Sequence, residues 1–216
     1  MNVNLQEVAE SLLGRKVTKK DGIRLSEIES IEKLLGVKIP SILKDFYLLV
    51  GNVEMFMSSF EQFIEPYLKD GMLIFLEENQ GCCYWAVNTE NTDNPNVFMC
   101  THLESENPQW IEEKVSLLPF ILILLYYQCA QGGYKYSATI DEGSFESREK
   151  YLHFLYSITS DYQKVVEHNG LVIYQHKRKL IWYFMDRDNN VADTIFASAQ
   201  TKKEMKVLEV DGFQEL

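Results

Sequence analysis

The sequence is short of basic residues: 21 lysines and arginines stand against 32 aspartates and glutamates, a formal net charge of −11 at pH 7. A protein that binds nucleic acid neutralises phosphates with lysine and arginine, and one that docks on anionic lipid uses the same residues. The charge balance therefore argues against both partners. It favours either a solvated acidic surface or an acidic face that attracts a basic protein.

Long apolar runs are also missing. The longest, LLPFILILLYY at residues 117–127, is much shorter than the run of about 20 residues that a membrane-spanning helix needs. The amino-terminal residues show neither the basic region nor the continuous apolar region of a secretion signal. No Asn-X-Ser/Thr glycosylation acceptor is present. We expect a soluble, cytoplasmic protein.

Metal-binding patterns are absent as well. The four cysteines (Cys82, Cys83, Cys100 and Cys129) contain no Cys-X-X-Cys spacing, and we interpret them as reduced thiols. Adjacent Cys82 and Cys83 are expected to point to opposite sides of a strand. The four histidines are scattered. DRDNN at 186–190 begins like a calcium loop, but Val191 and Ala197 occupy the places of the required glycine and glutamate. We predict no metal and no cofactor.

Enzyme signatures are equally lacking. The chain has no Gly-X-Ser-X-Gly motif and no glycine-rich phosphate loop followed by Lys-Ser/Thr. Glu77 and Glu78 could be imagined as an acid–base pair. Neighbouring residues on a strand point to opposite faces, however, so a solvated strand end explains them better. We predict that the protein is not an enzyme.

The first fifty residues do contain clear helical patterns. Residues 4–13 place an apolar stripe on one face, before Gly14. Ser26, with Glu29 three residues later, predicts the start of a second helix that ends at Gly36. A third helix is expected to begin around Pro40 and to stop at Gly51-Asn52. The segment SSFEQFIEPYLKDG, which follows, is ambiguous because its proline argues against one long helix.

The pattern then changes to strands. MLIFLE, CCYWAV and NVFMCT, separated by loop-rich sequences, predict three neighbouring, antiparallel strands. Buried helix is expected over residues 113–133 and another helix over 147–160. A hairpin around Lys177-Arg178, a strand at DTIFASA and a closing helix capped by Thr201 and Glu204 complete the chain. We predict one α+β domain over residues 1–216, with a possible internal boundary near residues 133–147.

The stretch IESIEKLLGVKIPSILKDFYLLVGN, residues 28–52, carries a recognisable motif. It resembles the hallmark of the SMI1/KNR4, or SUKH, superfamily, in which a helix, a tight connection and a second helix follow one another. The matching residues are Glu32, Gly36, Ile39, Pro40, Leu43, Phe46 and Asn52. Gly51-Asn52 stands where many members have Asn-Gly. LIFLEENQGCCYWAVNTENTDNPNVF is similar to the strand–loop–strand block of that family, with Gly81, Trp85, Asp93 and Pro95 in order.

The resemblance implies a fold in which helices pack against a curved, mainly antiparallel sheet. It also implies a non-enzymatic role. Bacterial members act as immunity proteins that each bind and neutralise a cognate toxin domain, often a nuclease or deaminase, whereas fungal members act as regulatory scaffolds. The hallmark residues are expected to hold the fold, and the family pattern supplies no binding residue.

Two functions therefore stay open: an immunity protein with a basic toxin domain as its protein partner, and an SMI1/KNR4-type scaffold or peptide-binding module without a toxin. The charge suits the first. The candidate contacts are acidic residues in or beside the loops of the predicted strands: Glu77, Glu78, Glu90 and Asp93. Neither the toxin's chemistry nor the oligomeric state follows from the sequence.

Overall fold

The computed structural model describes residues 4–59, 61–90, 93–105, 107–210 and 212–215. Its helices are α1 (Leu5–Leu13), α2 (Leu25–Leu35), α3 (Ser41–Val50), α4 (Glu54–Met57), α5 (Leu117–Gln128), α6 (Arg148–Thr159) and α7 (Lys202–Val210). Its strands are β1 (Glu61–Lys69), β2 (Met72–Glu78), β3 (Tyr84–Asn88), β4 (Asn96–Cys100), β5 (Ile111–Ser116), β6 (Tyr136–Asp141), β7 (Gln163–His168), β8 (Leu171–His176), β9 (Lys179–Phe184), β10 (Thr194–Ala199) and β11 (Gln214–Glu215). This is the α+β class that the sequence predicts.

The chain forms two compact units rather than a single layer of sheet and helix. The first contains residues 16–128 together with the chain up to Glu10, and the second contains residues 11–15 and 129–216. The first sheet has the order β1-β2-β3-β4-β5 and the second the order β11-β6-β10-β9-β8-β7. Every strand pair described is antiparallel. That residues 1–216 act as one domain stays a prediction.

An aromatic chain forms part of the core of the first unit. Phe46 of α3 lies 4.5 Å from Phe63 of β1, measured between ring centroids, and Phe63 lies 6.3 Å from Phe75 of β2. Phe120 of α5 meets Phe75 edge to face at 6.3 Å and contacts Trp85 of β3 at the same distance. Helices α3 and α5 are therefore anchored to one face of the first sheet by ring packing.

The second unit buries its core between its sheet and its helices. Residues of β6, β8, β9 and β10 pack with Tyr151 and Leu155 of α6 and with Met205 and Leu208 of α7. Ser147 caps α6 by accepting a hydrogen bond from the Lys150 amide at 3.3 Å. The predicted Thr201–Glu204 capping box is confirmed, since each residue's side chain accepts from the other's backbone N–H, at 3.1 and 3.3 Å.

Several boundaries differ from the predictions. Helix α2 begins at Leu25 after Arg24, so Ser26 does not cap it. Strand β5 runs to Ser116, so only the later part of the expected helix over 113–133 is α-helix, and residues 129–133 form a kinked turn. Cys82 and Cys83 lie in the turn before β3, not within a strand. The ambiguous segment is β1, whose Pro66 lies in an irregularity of the edge strand, where a missing N–H is tolerated.

The motif of residues 32–52 is a set of structural contacts. Glu32 is buried, and its carboxylate accepts hydrogen bonds from the Ile39 amide at 3.1 Å and from Lys38 Nζ at 2.9 Å. Gly36 ends α2 in the left-handed conformation, with φ of 70°. Asn52 Nδ2 donates to the Gly22 carbonyl at 2.7 Å. The motif therefore fixes the connection between α2 and α3.

Glu32→Ala is expected to lower the free energy of unfolding by about 2 kcal/mol, because the Ile39 N–H and a lysine lose a buried carboxylate partner. Burial alone would raise the pKa of Glu32, but hydrogen bonds from Lys38, Ile39 and Lys44 outweigh it and lower that pKa. Urea denaturation measures the loss. Glu29→Ala on an exposed face of the same helix is the control, expected within about 0.5 kcal/mol of wild type; equal losses would contradict the assignment.

Candidate functional site

Negative charge is concentrated in the first sheet. Between Glu61 and Glu113 the sequence contains eleven acidic residues and one basic residue, Lys69. The first unit as a whole has 19 acidic and 9 basic side chains, and the second has 13 and 12. Nearly all of the chain's net charge therefore belongs to the unit that contains β1 to β5.

One face of the first sheet packs on helices, and the other has a smaller apolar cluster. Its buried members are Met72, Ile74, Ala86, Cys100 and Leu103, and partly buried aromatic residues lie at its border. Helices are not part of this cluster: Leu103 and Trp110 come from the segment between β4 and β5. Side chains at the border of the cluster are the accessible part of this face.

A register irregularity places Glu77 on that second face. Ile74 pairs with Ala86, but Leu76 pairs with Trp85 and Glu77 with Tyr84, so β2 has one extra residue. Without it, strict alternation would put Glu77 on the face opposite Ile74. With it, Glu77 lies beside Tyr84, two residues from Ala86 on the same side of β3.

Two tyrosines and two glutamates meet there, and we name Tyr67, Glu77, Tyr84 and Glu104 the tyrosine–glutamate face. Burial raises the pKa of the Tyr84 hydroxyl, and the charge of Glu77 and a hydrogen bond to it raise the pKa further. Burial is also the main cause that raises the pKa of Tyr67, and the neighbouring Tyr84, Glu77 and Glu104 raise the pKa of Tyr67 further. Tyr67 is 36% exposed, and the Glu104 side chain is 89% exposed and lies 3.4 Å from Lys69.

This arrangement suits recognition of a basic protein. Tyrosine supplies contact area with little loss of conformational entropy, together with a polar hydroxyl. A carboxylate beside it accepts the two parallel hydrogen bonds of an arginine or the single charge of a lysine. The face has acceptors and contact area in one place, and tyrosine is among the residues enriched in protein–protein hot spots.

The four predicted contact residues do not lie together. Glu77 is on the tyrosine–glutamate face, whereas Glu78 turns back and accepts hydrogen bonds from the Gln80 and Cys82 amides at 2.9 and 3.3 Å. Glu90 and Asp93 are exposed at the other end of β3, in a loop whose residues 91 and 92 lie outside the described residues. The length of β3 separates the two ends by roughly 16 Å.

Asp93 also contacts α3. The Ser41 hydroxyl, at the first residue of that helix, donates to Asp93 Oδ1 at 3.4 Å. Asp93, in the loop after β3, thus lies against a helix, while Glu77, at the other end of β3, lies over the sheet. The two ends form separate candidate contact areas.

A buried carboxyl group lies beside the same hairpin. Glu61 begins β1 opposite Glu78 and is 6% exposed, and its Oε2 has no hydrogen-bond partner among the described residues. Buried Gln128 accepts from the Glu61 amide at 3.0 Å and donates to its carbonyl. Burial, and then the charge of Glu78, raise the pKa of Glu61 to about 7.

A cleft of about 550 Å³ lies between α2 and β1. Its floor is apolar, with Ile28, Tyr47 and Phe63 buried, and the Tyr47 hydroxyl donates to the Ile64 carbonyl at 2.9 Å. At its rim Arg24 and Glu27 pair with each other. The apolar floor thus suits an apolar side chain.

Other chemistry predicted from patterns can now be located. Asp186 accepts the backbone amides of Asp188 and Asn190 at 2.8 and 2.9 Å, so DRDNN is a polar turn closed on its own carboxylate. In the described ranges, no group of three or more His, Cys, Asp or Glu side chains is placed to hold a metal ion. Cys100 and Cys129 are buried thiols, while Cys82 is exposed.

Sequence reasoning missed Tyr67 and Glu104. The available signal was the imbalance of eleven acids to one base across residues 61–113, which marks the whole sheet rather than its loops. The position of Glu77 depends on the extra residue in β2, and no residue type in MLIFLEE predicts that irregularity.

None of the described helices has the length and apolarity needed to cross a bilayer.

Comparison with known proteins gives one result. A family model described as the SMI1 / KNR4 family (SUKH-1) matches residues 22–120, which run from the turn before α2 into α5. No curated protein and no solved structure matches the chain. The matched segment contains the motif of residues 32–52, all five strands of the first sheet and the tyrosine–glutamate face.

Proposed function

We propose that the protein is a non-enzymatic immunity protein of the cytoplasm, which binds a cognate toxin domain and neutralises it. The proposal starts from the match of residues 22–120 to the SMI1/KNR4 (SUKH-1) family. The observation that supports this proposal is the concentration of acid in the matched segment, with Glu77 and Glu104 beside Tyr67 and Tyr84 on one sheet face. The partner is a basic toxin domain, such as one that cleaves or modifies nucleic acid.

The physical argument is one of charge. A protein that acts on nucleic acid presents lysines and arginines to phosphates. An acidic face meets such a surface with complementary potential, which raises the association rate and penalises partners with the wrong charge. Tight binding at that surface keeps the nucleic acid out, so neutralisation requires no catalytic group.

A regulatory scaffold of the same family is the second candidate. The cleft between α2 and β1, with its apolar floor, favours it because that cleft offers a place for an apolar side chain of a peptide. Such a protein would have a housekeeping partner and no toxin encoded beside it.

Co-expression with the toxin domain encoded by the neighbouring gene tests the proposal. Cells are expected to survive when both proteins are made, and the two proteins are expected to elute together as one complex in size-exclusion chromatography. Cells that make the toxin domain alone are the control and are expected to die. Cell death with wild-type protein, together with separate elution, would overturn the immunity role.

A further inference from the structure

A cluster of lysines in the second unit stands apart from the acidic character of the chain. The Gln200 amide donates to the Arg178 carbonyl at 3.2 Å, and Arg178 Nε lies 2.9 Å from Glu204 Oε1. These contacts bring the β8–β9 turn beside the start of α7. We name the resulting cluster the lysine patch: Lys177, Arg178, Lys202, Lys203 and Lys206.

The lysines of this patch are exposed. Lys177, Lys202, Lys203 and Lys206 all point into solvent, and none of the four forms an ion pair within the part of the chain that is described. Glu204, the acidic residue among them, is occupied by Arg178 and by the amide and hydroxyl of Thr201. The patch therefore has an excess of uncompensated positive charge.

Lysine is an unfavourable choice at the β8–β9 turn. Lys177 has φ of 57°, a left-handed conformation that favours glycine and asparagine. Two other two-residue hairpin turns among the described residues use aspartate or asparagine followed by glycine: Asp70-Gly71 and Asn169-Gly170. At the turn in the lysine patch, both places are basic instead.

Lysine is also unfavourable at the start of α7. The amino-terminal end of a helix carries partial positive charge, so acidic residues stabilise the first turn and basic ones oppose it. Lys202 and Lys203 are the first two residues of α7. Two independent local preferences are thus violated at one place, and both violations add positive charge there. A surface that departs from local preference in this way is a mark of binding.

We infer that the lysine patch of one molecule binds the tyrosine–glutamate face of a second copy. The acidic surface that complements it is present in the same chain, since residues 61–113 carry eleven acids and one base. Lys202 and Lys203 face Glu77 and Glu104 of the neighbouring copy in this contact, which is head to tail. The contact is electrostatic, so salt screens it. The inference makes no use of a toxin, and its failure leaves the proposed function standing.

Sedimentation velocity tests the inference. The wild-type protein is expected to associate in about 0.01 M NaCl and to be monomeric in about 1 M NaCl, where the screening length falls to about 3 Å. The patch variant Lys177→Asn/Lys202→Glu/Lys203→Glu is expected to remain monomeric at low salt. Because its substitutions relieve both unfavourable placements, it is also expected to melt at a higher temperature. Lys19→Glu/Lys20→Glu/Lys33→Asn changes the charge equally and is expected to associate like wild type.

Mixing two variants tests whether a second copy of the chain is what binds the tyrosine–glutamate face. The face variant Glu77→Gln/Glu104→Gln and the patch variant are each expected to be monomeric alone. The unaltered patch of the first and the unaltered face of the second can still make one contact, so an equimolar mixture is expected to form a 1:1 dimer. A monomeric mixture, a patch variant that still associates, or a wild-type protein that is monomeric at low salt would each overturn the inference. So would patch-dependent binding of a labelled oligonucleotide by a monomeric wild-type protein.

Discussion

Glu61→Gln is expected to stabilise the protein by about 2 to 3 kcal/mol at pH 8 and to have little effect at pH 5. Burial and the charge of Glu78 raise the pKa of Glu61 from 4.5 to about 7. Between these values the folded protein holds a proton that the unfolded chain has lost. The free energy of unfolding of the wild type therefore falls as pH rises from about 4.5 through 7, and glutamine removes that fall.

Urea denaturation at several pH values measures the effect. Glu65→Gln is the matched control, because Glu65 is exposed on the same strand, and its curve is expected to follow wild type within about 0.5 kcal/mol. Glu78→Gln removes the neighbouring charge and is expected to reduce the pH dependence without abolishing it. Parallel curves for wild type and Glu61→Gln would show that the Glu61 carboxyl group is not neutral in the folded protein near pH 6.

Glu77→Lys/Glu104→Lys is expected to weaken the complex with the basic toxin domain about 100-fold, or about 2.7 kcal/mol. Each substitution removes an acceptor for a partner cation and introduces a like charge, and close charge pairs at an interface couple by more than 1 kcal/mol. Tyr67 and Tyr84 keep their contact area but lose both carboxylate neighbours. Isothermal titration calorimetry measures the change in the dissociation constant.

The control uses the other end of the sheet. Glu90→Lys/Asp93→Lys changes the net charge by the same amount in the loop after β3, so it reports the general loss of electrostatic attraction. We expect it to slow association and to weaken the complex less than about tenfold. Circular dichroism of both variants establishes that each remains folded.

The helices near the start of the chain were predictable from the sequence because local chemistry determines them. Glycine in the left-handed conformation at residue 36 and a proline directly before α3 mark the ends of two helices whose apolar stripes are regular. The capping box of α7 is equally local. The prediction that Ser26 caps α2 was wrong. A serine followed three residues later by Glu29 resembles a capping pattern, but α2 begins directly after Arg24.

Strands at the edges and ends of the sheets were less predictable. β1 contains Pro66 and an irregular register, and β5 reads IEEKVS, with three charged residues in succession. β6, in YSATID, is weakly apolar. β6 pairs with β10 and β11, which are distant in the chain, so tertiary pairing overrides its weak local pattern.

The candidate site was partly visible in the sequence. Glu77 was identified for its charge beside a loop, but its place on the tyrosine–glutamate face depends on one extra residue in β2. Tyr67 and Glu104 come to it from segments on either side of β2 and β3. The acidic content of residues 61–113 was enough to identify this sheet from the sequence. That the four side chains lie together could be seen only once the register of the strands was known.

The dissociation constants of the two charge-reversed variants, measured side by side with the same toxin domain, test the central claim most directly. If the tyrosine–glutamate face binds the basic partner, Glu77→Lys/Glu104→Lys weakens the complex at least about ten times more than Glu90→Lys/Asp93→Lys does. Equal weakening by both variants, or a larger loss at the loop, would contradict the claim and place the contact elsewhere on the acidic sheet.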